Sequence, residues 1–199
     1  TRYEQGKFYN SFLLLEENNI QFFDKKILVP FGEFLPFRNY ISFMETISGN
    51  TDYEIGNNDR LLTSADNINI LPIICYEIIF DKIFADINKK EIDILINITN
   101  DSWFGSKIGP YQHFYITRIK SLIANKPLVR VSNNGISAII DQDGNIIKSS
   151  KLNQISNIGY KIKINNKKNF FHIHSYLKYY IFFIFLIFII FNRQIYSHE

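Results

Sequence analysis

Cys75 is the only cysteine of the chain, and its surroundings suit a nucleophile. The apolar run of residues 70–74 predicts a strand, and residues 77–88 have apolar side chains at helical spacing. A thiol at such a junction is exposed at the carboxyl end of the strand, where helix N–H groups favour the thiolate. The backbone N–H of Tyr76 is then placed to bind an oxyanion. The same sequence also fits a buried cysteine that completes a strand.

A lysine and a glutamate form a second group. Lys25 and Lys26 follow a predicted strand at residues 20–24, and Glu33 lies in a loop that contains Pro30, Gly32 and Pro36. A lysine at the end of a strand can stabilise an oxyanion, while the glutamate holds that lysine or orients a substrate. The alternative is a solvated lysine pair with a surface glutamate.

The third group, residues 97–105, follows a predicted buried strand at 92–98 and contains the only tryptophan. Loops after parallel strands often line binding sites, so Trp103 and Phe104 are possible pocket residues. Trp103 can equally be a packing anchor in a structural turn. Four histidines show no zinc-ligand pattern, and neither a Gly-rich phosphate loop nor a G-x-S-x-G elbow occurs. The sequence therefore gives no support to serine–histidine catalysis, nucleotide binding or a zinc site.

Alternating strands and helices indicate an α/β domain that positions these groups. A predicted hairpin near the end of the domain, at residues 136–148, indicates antiparallel pairing. A sandwich is therefore as consistent with the sequence as a doubly wound sheet. Residues 50–66 are polar and predict an exposed connection, and residues 165–169 predict a linker. We expect a helix over 112–124, where Phe114, Ile116, Ile119, Leu122 and Ile123 lie at helix-compatible spacing. The remaining predicted strands are 8–15, 128–132 and a hairpin of 136–141 with 146–148.

Length and charge limit the functional classes to which the chain can belong. The 199 residues allow one domain with a core and a short appendage, and the net charge of +3 without a long basic run disfavours nucleic-acid binding. A single cysteine excludes an internal disulfide. Because the chain begins at Thr1 and its only methionine is Met44, we expect a processed or excised piece.

The C-terminal residues have a different composition from the rest. Residues 179–191 carry no charge, and the segment 176–196 adds Lys178 and Arg193, which can snorkel, with tyrosines at both ends. This predicts a transmembrane helix over 176–196, and the alternative is a buried or interfacial helix. The lysines before the segment would place the domain in the cytosol by the positive-inside rule.

Five ordered runs of the sequence resemble one family. They are LVPFGEF (28–34), ICYE (74–77), NDSWFG (100–105), GPYQH (109–113) and RVSNNG (130–135). Together they resemble the nitrilase, or carbon–nitrogen hydrolase, superfamily with its Glu-Lys-Cys triad, and within it the apolipoprotein N-acyltransferases. The resemblance implies Cys75 as nucleophile and Lys25, rather than Lys26, as triad lysine, with Glu33, Tyr76 and Glu77 in supporting places.

The resemblance also implies a fold and a reaction. The fold is a nitrilase-like α-β-β-α sandwich, with residues 1–168 as part of the catalytic domain and 176–196 as a transmembrane helix. The reaction moves an acyl chain from a phospholipid donor through a cysteine thioester to a diacylglyceryl-apolipoprotein acceptor. The reaction needs no cofactor and takes place at the bacterial inner membrane. The resemblance places the domain on the periplasmic side, whereas the lysines that precede residues 176–196 would place it in the cytosol.

One departure from the family concerns the base. The general-base glutamate of the family lies well upstream of the lysine, and Glu4, Glu16 and Glu17 do not match its place. We therefore expect this chain alone to lack the base. Two other interpretations follow: a nitrilase-type amidase that hydrolyses small amides, and an inactive remnant of a split acyltransferase.

Overall fold

Three parallel strands form the centre of the folded unit that carries Cys75. The structure, a computed structural model, describes residues 1–17, 19–37, 51–85, 87, 90–164 and 180–187. The chain divides into two compact units, Thr1–Asn166 and Lys167–Glu199. The first unit contains one long α-helix among its described residues, α1 (Ile108–Ala124), and the strands β1 (Arg2–Glu4), β2 (Lys7–Tyr9), β3 (Ser11–Glu16), β4 (Asn19–Asp24), β5 (Leu62–Thr63), β6 (Asn69–Ile74), β7 (Ile94–Thr99), β8 (Leu128–Ser132), β9 (Ala138–Ile140) and β10 (Ile146–Ser149).

Six of these strands form one sheet in the order β10-β9-β8-β7-β6-β5. β6, β7 and β8 are parallel, and the outer strands pair antiparallel. The late hairpin is confirmed as β9 and β10, and the predicted strand 128–132 coincides with β8. Because parallel strands end at the same edge, the residues after β6, β7 and β8 meet there.

The two faces of the sheet bury different partners. Side chains alternate along β6, so Leu71 and Ile73 share a core with Phe114 of α1, whereas Ile70 and Ile74 pack with β3 and β4. The order is helix, sheet, sheet, which agrees with the predicted sandwich rather than with a doubly wound sheet. In the described part of the chain no helix covers the outer face of the β3–β4 hairpin, where Leu13, Leu15, Ile20 and Phe22 are exposed.

The predicted single strand 8–15 is wrong. It is divided between β2, which pairs with β1, and β3, which pairs with β4. The break falls at Asn10, whose carbonyl accepts the N–H of Lys25 at 2.8 Å. Asn10 also donates to Glu33, so the two strands separate where the chain contributes to the candidate site.

The predicted helix over 77–88 is also wrong. Two 3-10 turns, Cys75–Ile79 and Asp81–Phe84, take its place, with Phe80 extended between them. Glu77 is the cause, because its carboxylate accepts the N–H of Ile74 and of two residues in a distant loop. Of the apolar residues predicted to face inward, Ile78 and Ile87 are buried and Ile83 packs against the core, whereas Ile79 is exposed.

The predicted helix is present as α1, which is one turn longer than predicted, and only some of the apolar residues at helical spacing are buried. Phe114 is buried, but Ile119 and Ile123 are about half exposed. The buried face is largely polar, because it packs on a polar cluster at the ends of β7 and β8. Its buried residues are Pro110, His113, Phe114, Thr117, Lys120 and Ser121.

The second unit is described only at residues 180–187, which are helical with exposed side chains. The predicted linker 165–169 lies outside the described residues, and so does the predicted transmembrane segment 176–196 apart from those eight positions. Within the described residues, no helix has the length and apolar character needed to cross a bilayer.

The connection before β5 is not the exposed segment that its polarity predicts. In its described part, Arg60 and Leu62 are buried, and the N–H of Gly56 donates to the carbonyl of Lys25 at 2.9 Å. A Cβ at Gly56 would lie 2.2 Å from the carbonyl oxygen of Asp24. The connection therefore packs directly against the strand end that carries Lys25.

We predict that Gly56→Ala lowers the free energy of unfolding by about 2 kcal/mol or more, because the methyl group would overlap backbone that cannot move without displacing Lys25. The matched control is Gly159→Ala, where a Cβ meets nothing within 4 Å. Urea unfolding of both variants tests this, and equal stability of the two would contradict it.

Candidate active site

Cys75 occupies a sharp bend between β6 and the 3-10 turn. Its φ is 54°, in the left-handed region that a non-glycine residue rarely adopts. The side-chain amide of Asn97 holds the bend by donating to the carbonyls of Ile73 and Cys75, at 3.2 Å each. The sulfur is half-buried. The predicted strand end is present, but a 3-10 turn of five residues supplies little of the expected helix dipole.

Lys25 is almost completely buried, with 1% of its surface exposed. Its Nζ lies 2.8 Å and 2.7 Å from the two carboxylate oxygens of Glu33. Asn10 Nδ2 donates to Oε1 of the same carboxylate at 2.6 Å, and the Val29 N–H donates to Oε2 at 2.7 Å. Glu33 is thus bound on both oxygens, which suits a group that holds the lysine rather than one that receives a proton from Cys75.

Tyr76 joins the cysteine turn to the lysine loop. Its hydroxyl donates to the Leu28 carbonyl at 2.8 Å, and its ring centroid lies 5.2 Å from Lys25 Nζ. Burial raises the pKa of Tyr76, and the negative charges of Glu33 and Glu77 raise it further. The phenol therefore stays protonated and keeps its donor role.

Cys75, Lys25 and Glu33 line one cavity of about 560 Å³. Trp103 is 71% exposed at this cavity, and Phe104 lies beside it, so the structure brings both predicted pocket residues to the candidate site. Lys26 points elsewhere and lines a different cavity. In the described part of the chain no cluster of His, Cys, Asp or Glu could hold a metal ion. The other residues lining the cavity are Asn10, Val29, Gly32, Tyr53, Ile74, Tyr76, Ile98, Thr99 and Asn100.

Glu77 lies beneath the cavity instead of lining it, and it is completely buried. One oxygen accepts the N–H groups of Lys26 and Ile27 at 3.0 and 3.2 Å, and the other accepts that of Ile74 at 3.0 Å. Arg60 pairs with both oxygens, at 2.6 and 2.9 Å. This carboxylate therefore connects the lysine loop to the last residue before Cys75.

None of the upstream glutamates, Glu4, Glu16 and Glu17, lines the cavity that contains Cys75. Glu4 pairs with Arg2, and Glu16 accepts the N–H of Ala65 at 2.7 Å. In the β3–β4 hairpin, Glu16 pairs with Asn19 at one end, whereas Ser11 pairs with Asp24, the neighbour of Lys25, at the other. Five residues of strand separate the two ends of this hairpin, so Glu16 lies roughly 17 Å along the strand from Ser11. Neither Glu16 nor Glu4 is positioned as a base for Cys75.

Residues 1–160 match the family described as carbon-nitrogen hydrolase. The chain belongs to the carbon–nitrogen hydrolase family. The apolipoprotein N-acyltransferase of Rickettsia prowazekii is 41% identical to it over 157 residues, which are 78% of this chain and 32% of the relative. The apolipoprotein N-acyltransferase of Rickettsia typhi is 42% identical over the same shares. The predicted resemblance is therefore confirmed, and the chain spans about a third of the length of the curated relatives it matches.

A solved carbon–nitrogen hydrolase has the same fold. The structure of that enzyme from Helicobacter pylori G27 aligns with a TM-score of 0.57 and 14% identity, over 77% of this chain and 57% of the other. The predicted nitrilase-like α/β fold is confirmed at this level.

A buried polar cluster of this carbon–nitrogen hydrolase chain supports the other side of Cys75. Arg130 of β8 donates to Asp101 Oδ2 at 2.7 Å, to Asn97 Oδ1 at 2.6 Å and to the Thr117 hydroxyl at 2.9 Å. His113 Nδ1 lies 2.9 Å from Asp101 Oδ1. Asn97, which holds the cysteine bend, is itself fixed by Arg130. The cluster therefore positions Cys75 from behind.

Sequence reasoning gave no role to Arg60, Asn97 or Arg130. A usable signal was present for two of them, because Asn97 and Arg130 interrupt otherwise apolar strands, where a polar side chain must find buried partners. Arg60 follows a polar stretch and carries no such signal.

Ion pairing holds Asp101 in its charged form. Burial by itself raises the pKa of Asp101, but the hydrogen bond with His113 and the charge and hydrogen bond of Arg130 outweigh it and lower the pKa to about 2. Because the folded value lies below the unfolded value of 3.8, this stabilisation is complete above pH 4 and is lost as the pH falls toward 2.

We predict that Asp101→Asn is less stable than the wild type at pH 7, and that the difference shrinks by about 2 kcal/mol as the pH falls from 4 to 2. The control Asp143→Asn, at an exposed turn, should follow the wild type at every pH. Urea unfolding between pH 2 and 7 measures both. A constant difference for Asp101→Asn would contradict the assignment.

A second prediction concerns the buried pair beneath the site. Arg60→Met leaves the Glu77 charge buried without its cation, so the free energy of unfolding should fall by about 3 kcal/mol. Lys90→Met, which breaks the exposed Lys90–Asp59 pair, should leave the stability close to that of the wild type. Chemical unfolding at pH 7 compares them, and similar losses for both variants would refute the role given to Glu77.

Proposed function

We propose that the site transfers an acyl chain from a phospholipid to the α-amine of the N-terminal diacylglyceryl-cysteine of an apolipoprotein, through a thioester on Cys75. The observation that carries the proposal is the shared cavity, in which the thiol and the Lys25–Glu33 pair lie among Val29, Ile98 and the two exposed aromatic residues. A thiol beside a buried cation suits acyl transfer, and apolar walls suit a fatty acyl chain.

In the first step, the Cys75 sulfur attacks the carbonyl carbon of the phospholipid ester. Negative charge develops on the carbonyl oxygen, and Lys25 together with the backbone N–H of Tyr76 stabilises it. Collapse of this intermediate breaks the ester C–O bond, leaves the acyl group on sulfur and releases a lysophospholipid, whose oxygen takes up the proton that the base removed from Cys75. Glu33 keeps the lysine ammonium in place throughout, because its two oxygens bind Nζ.

In the second step, the acceptor amine attacks the thioester carbonyl, and the same oxyanion groups act again. The amine nitrogen gives up a proton to the base, the C–S bond breaks, and an amide forms as the Cys75 thiolate leaves. A thioester suits this step because amines attack it more readily than they attack the original oxygen ester.

The proton of Cys75 needs a base, and we propose for this role the glutamate that precedes the lysine in the family. Glu33 is unsuited, since both of its oxygens are already hydrogen-bonded. We further propose that the protein acts at the bacterial inner membrane with this domain on the periplasmic side, and that residues 176–196 enter the bilayer. Both substrates reside there, so a membrane location supports the reaction.

The test uses the intact protein with a phospholipid that bears a heavy-isotope acyl chain, and it follows the mass of the peptide containing Cys75. Cys75→Ala should abolish the hydroxylamine-sensitive acyl adduct. Lys25→Ala should slow its formation by about 10² to 10³-fold, as expected for the loss of an oxyanion-stabilising group. The matched control Lys26→Ala should form it at close to the wild-type rate, because Lys26 lines a different cavity.

Other outcomes separate the alternatives. An adduct that persists in Cys75→Ala would refute the nucleophile. Release of the acyl group to water instead of to a diacylglyceryl-peptide amine would favour an amidase-like hydrolase. No adduct at all in the intact wild-type protein would favour the inactive remnant.

A further inference from the structure

We propose that the hydroxyl of Thr99 transfers its hydrogen bond from Asp101 to the Cys75 sulfur when the thiol ionises, and so stabilises the thiolate. This inference rests on the proposed function for its use in acyl transfer, but the geometry that carries it is independent of the substrate. It makes Thr99 a hydrogen-bond donor to the reacting sulfur. The Lys25–Glu33 pair on the other side of the cavity does not supply this hydrogen bond.

The register of the sheet brings Thr99 to the sulfur. Ile74 and Ile98 are partners in the parallel β6–β7 pair, so the residues that follow them, Cys75 and Thr99, are neighbours at the strand ends. Thr99 is fixed from the other side as well, since it pairs with Ser132 and its carbonyl accepts the N–H of Asn133 at 3.1 Å. Its place beside Cys75 is thus set by the backbone and does not depend on a flexible side chain.

The Thr99 oxygen lies within reach of two acceptors. Oγ1 is 3.4 Å from Cys75 Sγ and 3.1 Å from Asp101 Oδ1. A hydroxyl has one hydrogen, so Thr99 can donate to only one of them at a time. The distance to sulfur suits a bond to this larger acceptor atom.

The ionisation of Cys75 decides which acceptor receives the hydrogen. A neutral thiol is a weak acceptor, so the hydrogen then goes to the Asp101 carboxylate. A thiolate carries a full charge and accepts a charge-assisted bond. Asp101 can release the hydroxyl, because Arg130 and His113 still hold its two oxygens. When the sulfur becomes a neutral thioester, the hydrogen returns to Asp101.

Several charged groups surround the sulfur. Lys25 and Glu33 face it across the cavity, Glu77 follows on its own turn, and Asp101 and Arg130 lie behind it. Replacing any of these would change a charge. Thr99→Val changes none, and it keeps the shape of the side chain, so it removes the donor alone.

The experiment measures the pH dependence of Cys75 alkylation by iodoacetamide in the intact protein, read from the mass of the peptide that contains Cys75. Alkylation reports the thiolate, whose proton is lost to the buffer, and it requires neither lipid nor general base. Thr99→Val should move the midpoint up by about one pH unit, equivalent to a roughly tenfold smaller thiolate fraction at neutral pH. Thr99→Ser, which keeps the hydroxyl, should stay near the wild-type midpoint. An unchanged midpoint in Thr99→Val would overturn the proposal.

A second pair of variants keeps the test decisive if Thr99→Val fails to fold, as shown by its thermal melt. Thr99→Ala and Thr99→Ser both lack the γ-methyl group, so they differ in the hydroxyl alone. A higher midpoint in the alanine variant than in the serine variant would support the hydrogen bond, and equal midpoints would refute it.

The result is also separable from the proposed function. A midpoint shift without any acyl adduct would keep the role of Thr99 and remove the acyltransferase assignment. An acyl adduct in the wild type with no midpoint shift in Thr99→Val would keep the acyltransferase assignment and remove the role of Thr99.

Discussion

The buried carboxylate of Glu77 is the constraint on which the candidate site depends. It accepts backbone N–H groups from Lys26, Ile27 and Ile74 while Arg60 neutralises it. These contacts join two chain segments that no strand pairing connects, the loop that carries Lys25 and the bend that carries Cys75. A buried charge has a large desolvation cost, and it is tolerated here because every oxygen has partners. The same bonds favour the two 3-10 turns over the helix that the apolar spacing predicted, since Glu77 turns back toward Ile74.

A second polar cluster meets the first at Cys75. Arg130, which is itself paired with Asp101, fixes Asn97, and Asn97 holds the carbonyl groups on both sides of the bend. The left-handed φ of Cys75 is therefore held from the front by the Glu77 bonds and from behind by the Asn97 amide. A strained residue persists only where its surroundings over-determine it, and two separate hydrogen-bond systems provide that here.

The sequence predicted those parts of the site that follow the alternation of strands. The ends of predicted strands gave the places of Lys25, Cys75 and Trp103, and these three line one cavity. Periodicity failed on α1, because it assigns apolar residues to the core, whereas the helix buries His113 and Thr117 against Arg130 and leaves Ile119 exposed. The place of Arg60 could not be found either, since the partner of a buried ion pair is decided by tertiary contacts that a polar loop does not reveal.

The arrangement of two packed sheets explains why Cys75, Thr99 and Lys25 meet at one edge. Cys75 follows β6 and Thr99 is the last residue of β7, two parallel strands of the large sheet, while Lys25 follows β4 in the hairpin packed against the face of that sheet. Phe12 and Phe23 fix the spacing between the layers, and Arg60 lies over the Phe23 ring at 4.3 Å. The interface that buries the core is thus in direct contact with the ion pair that connects the segments carrying Lys25 and Cys75. A change in the layer spacing would displace Lys25 relative to Cys75, so packing of the sandwich and geometry of the site cannot vary independently.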